Sequence, residues 1–421
     1  MTYVLKLKTN GSSIQAETSV QPQQQATQSD IQSPKQSNIP TAPYTPNSSQ
    51  NEINSGIGRQ NQATTFQPDS YRSSAYGGDF QTLMNDGKKA FDSYDKDLIN
   101  SMVNPASVDN IKMGYDLLNG YKNYVQALTI ASNQKSNKQI KNIVKTLNEH
   151  VNDYFNAGAY FFNAKKIYPE AYECFMIYAD MPNQEFMRGE KLDLTDTDRG
   201  TAYFNAGLAA YSGNELIHSA NAFRRAREIG YDDKQAYIYE IACWQSLVKT
   251  DPSIEETAKQ KIVEVAQDGD RKFGLSEPVF YNNIINFLVV DEKYNQALAD
   301  ISQRIAQNPN NAGLYGLRGF VYDRMGKDDE SVADYRKAAA TDGVDFETLK
   351  NAAKKIFRTG TNKWDNIEGN SDADRAARAD VKTNYLEVAK AITDKAKAMN
   401  SNDEDLDYVI ESIDYMLSLT K

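Results

Sequence analysis

The chain has 421 residues, of which 40% are hydrophobic and 25% charged, and its formal net charge is −10. This length suits two or three ordinary domains or one array of repeats, and no stretch approaches the roughly 18 uninterrupted apolar residues of a membrane helix. After residue 78 the chain carries 42 basic and 53 acidic residues, a net −11. A body this acidic repels phosphate backbones, which argues against a nucleic-acid partner.

The N-terminal segment, positions 1–78, differs in composition from the rest of the chain. Positions 11–78 are dominated by Gln, Ser, Asn, Thr and Pro, and six of the twelve prolines lie there. Such a segment buries too little apolar surface to offset the lost backbone entropy, about 1–2 kcal/mol per ordered residue. We therefore expect residues 1–78 to form a disordered tail.

The opening stretch MTYVLKLKTN bears on location. It shows a short strand-like alternation, but it has no long apolar core and no small-residue cleavage site, so it is not an intact signal peptide. Two locations stay open. The protein is cytoplasmic, or it belongs to the periplasm or cell envelope if the start shown here is trimmed of a signal peptide.

From Asp79 onward the hydrophobic pattern is helical. A first helix is expected to end at Asn104, because Pro105 disfavours the α conformation of the residue before it. Ser107 is expected to cap the next helix. Residues 79–150 are predicted to form N-terminal helices that pack on the following segment. No sustained two-residue alternation bounded by hairpin turns occurs, so we predict an all-α protein.

The pentapeptide YFNAG occurs twice, at positions 154–158 and 203–207. Tyrosines recur in equivalent contexts further along, and the resulting anchors are Tyr154, Tyr203, Tyr237, Tyr281 and Tyr315. The position numbers of successive anchors differ by 49, 34, 44 and 34. Within the units, a glycine and an alanine recur at one fixed offset, as Gly207 with Ala226 and Gly319 with Ala338. Small residues at such positions let two helices approach closely.

On these residues, positions 151–345 resemble about five degenerate units of the tetratricopeptide-repeat (TPR) family, whose period is about 34 residues. The longer intervals contain the insertions NQEFMRGEKLDLTDTD and VKTDPSIEETAK with DGDRKFGLSE. The chain departs from the family at Ser331, where alanine is usual, and at Ile241 and Ile285, which replace a helix glycine.

The resemblance implies a fold and a class of function. The fold would be a right-handed α-α superhelix (a TPR-like solenoid) with extra N- and C-terminal helices. Residues 346–421 would be C-terminal capping helices: DFETLKNAAKKIFRTG closing at Gly360, then helices over about 372–399 and 403–419. The function would be that of a non-catalytic scaffold whose concave surface binds a protein or peptide segment.

In this family the concave wall is lined by residues one, five and eight places after the anchor tyrosine. In the first unit those positions hold Phe155, Ala159 and Phe162, in the second Phe204, Leu208 and Tyr211, and in the fourth Asn282, Asn286 and Val289. The groove is expected to be aromatic at its N-terminal end and amide-rich further along, which suits a segment with apolar anchors. The alternative is ordinary packing, because aromatic residues at helical spacing are more often core.

One well-known TPR subset binds the acidic C-terminus of chaperones through a lysine and asparagine clamp. The corresponding positions hold no lysine; they are Phe155, Phe204, Ile238, Asn282 and Gly316. Asn286 alone matches the clamp, so chaperone binding of this kind is not expected.

Sites for chemistry are few. The histidines, His150 and His218, and the cysteines, Cys174 and Cys243, lie without further ligands at zinc-site spacing, so no metal or cofactor is expected. Phosphate-binding and nucleophile-elbow motifs are missing from the sequence. The acids of DLTDTDRGTAYF fail the calcium-loop pattern and are expected to cap a helix that starts near Thr201.

A second function stays open. The layout of a polar N-terminal region and degenerate repeats also looks like exported repeat proteins of Bacteroidota-type bacteria, which implies an envelope location. Some glycan-binding lipoproteins of that group embed similar repeats, so a glycan-uptake accessory role is the rival hypothesis. Those lipoproteins carry a lipid-bearing N-terminal cysteine, whereas the first cysteine here is Cys174.

Overall fold

A computed structural model describes residues 6–10, 13–17, 78–131 and 137–419. Two strands, β1 (Lys6–Asn10) and β2 (Ser13–Glu17), pair in antiparallel fashion, with Lys6 opposite Glu17 and Asn10 opposite Ser13. The alternation in MTYVLKLKTN coincides with β1. The remainder of the predicted tail, through residue 77, lies outside the described residues.

The chain divides into two compact units, Val20–Lys272 and the combination of Met1–Ser19 with Phe273–Lys421. The described helices of the first unit are α1 (Phe80–Val103), α2 (Asn110–Ala131), α3 (Asn137–Glu149), α4 (Val151–Tyr160), α5 (Tyr168–Asp180), α6 (Asp196–Ser212), α7 (Leu216–Glu228), α8 (Lys234–Thr250) and α9 (Glu255–Phe273). A π-helical turn, Phe161–Lys165, extends α4. Short 3-10 turns cover Pro105–Ser107, Met181–Asn183, Glu185–Met187 and Pro252–Ile254.

The second unit contains the remaining described helices: α10 (Pro278–Val290), α11 (Tyr294–Gln307), α12 (Ala312–Arg324), α13 (Asp328–Ala340), α14 (Phe346–Asp365), α15 (Asp372–Val381), α16 (Glu387–Met399) and α17 (Glu404–Leu419). A 3-10 turn, Gly274–Ser276, precedes α10, and a π-helical turn, Lys382–Leu386, joins α15 to α16. Across 78–131 and 137–419 the predicted all-α character is confirmed. None of the helices in these ranges is both long and apolar enough to cross a membrane.

Each anchor tyrosine lies in the first helix of a consecutive pair, namely in α4, α6, α8, α10 and α12, and the second helices are α5, α7, α9, α11 and α13. In four of these pairs the two helices pack on each other as a hairpin: α4 on α5, α6 on α7, α10 on α11 and α12 on α13. The boundaries proposed for the repeats stay a prediction. The division between the two compact units falls between residues 272 and 273, inside the predicted array.

The helices of two hairpins, α6 with α7 and α12 with α13, cross in the same way. A Cβ atom added at Gly207 would lie 2.6 Å from the ring of Phe223, and one added at Gly319 would lie 3.1 Å from the ring of Tyr335. In both hairpins an aromatic ring of the second helix fills the space that the glycine leaves. This is the physical basis of the close approach that the spacing of small residues predicted.

Helix starts explain two corrections. The prediction that Ser107 caps the second helix is wrong: Ser107 lies in a 3-10 turn, and the Asp109 carboxylate accepts hydrogen bonds from the Ile111 and Lys112 amides at 2.9 and 3.3 Å. The start predicted near Thr201 is also wrong, because α6 begins at Asp196. Thr195 and Asp198 form a reciprocal capping box there, which satisfies amides that the first turn leaves free.

The C-terminal helices bury one apolar cluster, which includes Leu349, Ile356, Ile392, Leu406 and Ile413. The prediction that Gly360 closes a helix is wrong, since α14 continues to Asp365. A Cβ atom at position 360 would lie 2.5 Å from the Cβ of Tyr385. This glycine therefore serves a close contact with the π-helical turn rather than a helix end.

Candidate interaction surface

The first pair of predicted groove residues is fully packed. Phe155 is completely buried, with its ring 5.3 Å from that of Phe175 and 5.2 Å from that of Tyr178. Phe162 is also buried and packs edge-to-face on Tyr168 at 5.5 Å. Both side chains hold α4 and its π-helical turn against α5 rather than facing solvent.

The second unit of the pattern reaches the surface at one end. Phe204 is 8% exposed, stacks on Tyr231 at 5.1 Å and lies 5.5 Å from Phe223, and Leu208 beside it is equally buried. Tyr211 is only half-buried, and its ring meets that of the half-buried Tyr239 edge-to-face at 5.6 Å.

Tyr239 in turn stacks on Phe223 at 5.3 Å. The rings of α6, α7 and α8 therefore form a continuous cluster whose outer members are Tyr211 and Tyr239. Sequence reasoning missed Tyr239, because it stands two places after its anchor and outside the one-five-eight pattern.

The predicted amides lie in the second compact unit, on α10. Asn282 and Asn286 are both half-buried, one helical turn apart, whereas Val289 is buried. The neighbouring Asn283 is buried instead and donates a hydrogen bond to the Val279 carbonyl at 2.7 Å. Asn282 and Asn286 thus share a partly solvated helix face, where side-chain amides are free to pair with a peptide backbone.

A buried charge cluster joins α5, α6 and α7, and the sequence analysis did not identify it. The Asp180 carboxylate accepts hydrogen bonds from the Tyr203 hydroxyl and, at 2.6 Å, from the Arg225 guanidinium. Arg199 is 2% exposed and donates to the Ala179 carbonyl at 2.9 Å and to the Asn183 amide oxygen at 3.1 Å. Burial raises the pKa of Asp180, and Arg225 and the Tyr203 hydroxyl oppose that rise.

The arrangement of this cluster is that of a structural ion pair. Each charge has an opposite charge or a hydrogen-bond partner, which is what a buried ion requires. Linear spacing carries no signal for it, because Asp180 and its two main donors, Tyr203 and Arg225, come from three successive helices.

A second buried pair links α7 to α8. Arg227 donates to the Glu240 carboxylate at 3.1 Å and also pairs with Asp268 of α9. Burial raises the pKa of Glu240 to about 7, and Arg227 opposes the rise. A carboxyl group with such a pKa is a candidate proton carrier in general, but Glu240 is 1% exposed and shielded by its guanidinium partner.

Both cysteines are buried. Burial raises the pKa of the Cys243 thiol to about 12 and that of Cys174 well above its ordinary value, so both stay protonated and weakly nucleophilic at neutral pH. Within 78–131 and 137–419, no three His, Cys, Asp or Glu side chains come together as a metal site would require.

Comparisons with known proteins do not assign the chain to a family. No family model matches the chain, and no curated protein matches it. Among solved structures, the TPR2AB domain of yeast Sti1 in a complex with pHSP90 matches at 12% identity and a TM-score of 0.23, covering 80% of this chain and 98% of that one.

The TPR domain of P58(IPK) matches at 12% identity and a TM-score of 0.23, covering 82% of this chain and 99% of that one. A TM-score of 0.23 does not establish a shared fold, so the function is proposed from the geometry of this chain alone.

Proposed function

We propose that the protein is a non-catalytic scaffold of TPR type that binds a protein or peptide segment on the first-helix faces of its hairpins. The observation that carries this is the half-buried ring pair of Tyr211 and Tyr239, 5.6 Å apart at the outer edge of a buried aromatic cluster. Rigid aromatic side chains that are backed by core and open on one side are typical anchors for a partner.

The seven predicted site residues take two roles in this proposal. Phe155, Phe162, Phe204 and Leu208 are buried and hold the first helices in place. Tyr211, with Asn282 and Asn286, keeps solvent contact and would touch a partner. An apolar anchor would pack on the tyrosines of the first compact unit. On their own face of the second compact unit, the two amides would hydrogen-bond the backbone of a bound segment.

The proposed assignment to the TPR family is supported by the same helix-to-helix contact in two hairpins. Gly207 faces Phe223 as Gly319 faces Tyr335, and both second helices place a serine against the glycine carbonyl. A glycine, a serine and an aromatic residue at the same offsets in two hairpins support a duplicated unit rather than chance. The acidic surface charge supports a protein partner over nucleic acid.

The test is affinity capture with the purified full-length chain, followed by mass spectrometry. The expected result is enrichment of a defined protein that is lost with Tyr211→Ser and kept with Tyr172→Ser. Tyr172 is a matched control, because it is also half-buried but lies in α5, the second helix of its hairpin. Equal capture by both variants, or selective retention on a glycan array in place of a protein, would contradict the proposal.

A further inference from the structure

Helix α17 presents two opposite faces. Its inner face carries Leu406, Val409 and Ile413, which are buried in the C-terminal apolar cluster. Its outer face carries Tyr408 and Tyr415, which are 73% and 65% exposed. Terminal helices of repeat proteins ordinarily show a polar outer face to water, so two exposed rings there need a reason.

Glutamates alternate with these rings. Glu404, Tyr408, Glu411 and Tyr415 follow one another at spacings of four, three and four positions, which places all four on one stripe of the helix. Glu404 and Glu411 are exposed, and neither forms an ion pair with any described residue. We call these four residues the outer stripe.

The other acids of α17 are already engaged. Asp405 pairs with Lys354 at 3.3 Å, Asp414 with Lys390 at 3.0 Å, and Asp407 with Lys397. These pairs hold α17 to α14 and α16. The two carboxylates of α17 without an ion pair among the described residues therefore flank Tyr408, at Glu404 and Glu411, and Glu411 also lies one turn before Tyr415.

We propose that the outer stripe is a docking surface for a cationic amphipathic helix of another protein. An arginine or lysine side chain of the partner would form two favourable interactions on this stripe. Its cation would be attracted to the face of a tyrosine ring and would pair with the adjacent glutamate carboxylate. Apolar side chains of the partner helix, located between its cationic residues, would pack on the two tyrosine rings. The stripe shares no residue with the faces named under the proposed function.

The charge of α17 favours a cationic helix over a second copy of this chain and over an anionic membrane. Helix α17 contains five acidic residues and no lysine or arginine, so pairing with the same helix of a second copy would set glutamate against glutamate. An anionic membrane surface is repelled for the same reason. A cationic partner relieves the repulsion among the acids that the stripe concentrates.

The test uses the full chain and a fluorescent synthetic peptide that is helical, with leucine on one face and arginine on both flanks. Binding is followed by anisotropy. The expected result is saturable binding that weakens with added salt and is about tenfold weaker for Tyr408→Ser/Tyr415→Ser. Glu404→Gln/Glu411→Gln should also bind more weakly and should lose most of the salt dependence.

The controls keep the outcome clear. Both tyrosines are exposed, so the double variant should melt at the wild-type temperature. Met102→Ser/Val103→Ser, which removes exposed apolar side chains of α1 that are 76% and 84% accessible, should leave peptide binding unchanged. Equal binding of a peptide with glutamate in place of arginine, or unchanged binding by the tyrosine variant, would overturn the proposal.

Two further results would overturn it by naming another occupant. One is self-association of the chain in sedimentation that the tyrosine variant abolishes. The other is binding to phosphatidylserine vesicles that the same variant abolishes. Neither result would bear on the first-helix faces, which are tested separately with Tyr211→Ser.

Discussion

Ser331 donates a hydrogen bond from its hydroxyl to the backbone carbonyl of Gly319, at 2.8 Å and fully buried. Ser219 makes the same contact with the carbonyl of Gly207 at 2.9 Å. In both hairpins the bond joins the second helix to the first at their crossing, with the same offset between donor and acceptor. The serine at this position therefore has the same structural role in both hairpins.

The first prediction concerns this bond. Ser331→Ala should lower the free energy of unfolding by about 1 kcal/mol, because a buried neutral hydrogen bond is lost while the glycine carbonyl keeps its place within α12. Urea denaturation measures the change. Ser219→Ala should give a similar loss, and a variant as stable as the wild type at both positions would show that the bond contributes nothing.

The second prediction concerns the glycine at the same crossing. Gly207→Ala should lower the free energy of unfolding by about 1–3 kcal/mol, since its methyl group would lie 2.6 Å from the Phe223 ring and the hairpin must open. Gly213→Ala is the control. A methyl group there has 3.4 Å to the nearest side-chain atom, and thermal melting should change little. Equal effects at the two positions would contradict the packing account.

The third prediction separates core from surface among the predicted site residues. Phe204→Ala should cost about 3–5 kcal/mol of stability, because the ring contacts Tyr231, Phe223 and Tyr239 and is 8% exposed. Replacing the half-buried Tyr211 by alanine should lower the free energy of unfolding by less. Chemical denaturation of the two single variants decides the matter, and a Tyr211→Ala loss as large as that of Phe204→Ala would place both residues in the core.

The fourth prediction is a pH dependence. The pKa of Glu240 rises from an ordinary 4.5 to about 7 in the folded chain, so between these values the folded state binds more protons than the unfolded state. The contribution of Glu240 to the free energy of unfolding therefore falls as pH rises through this window, by up to about 1.4 kcal/mol per pH unit.

Glu240→Gln should flatten that dependence when denaturation is followed across the window between the two pKa values. Glu264→Gln, at a side chain that is 51% exposed beside the same Arg227, should leave most of it in place, because burial is the largest cause of the raised pKa of Glu240 and the Glu264 charge a lesser one. If the glutamine variant at 240 keeps the full slope, another group is responsible for it.

The helical hairpins could be predicted from the sequence because their spacing rules are local. The fixed glycine–alanine offset follows from two helices that cross near a small side chain, and the YFNAG repeats place the anchor tyrosine of two such units. Helix ends are less predictable. Gly360 has the pattern of a stop signal, yet its small size serves a contact with Tyr385, which belongs to a later element of the chain.

The candidate surface could be predicted only in part. The spacing identified Tyr211, Asn282 and Asn286, which keep solvent contact. It did not reveal that Tyr231 covers Phe204, because that ring comes from the turn after α7. The Asp180 cluster was out of reach for the same reason: its members are brought together by packing, not by sequence distance.

The central claim is that a protein segment binds at the exposed edge of the Tyr211 and Tyr239 pair. The most direct measurement places a photo-crosslinking amino acid at position 211 of the full chain and irradiates it in a cell extract that contains the partner. The expected result is a discrete crosslinked protein, absent when the same amino acid replaces Tyr172 of α5. No crosslink from position 211, or the same products from both positions, would contradict it.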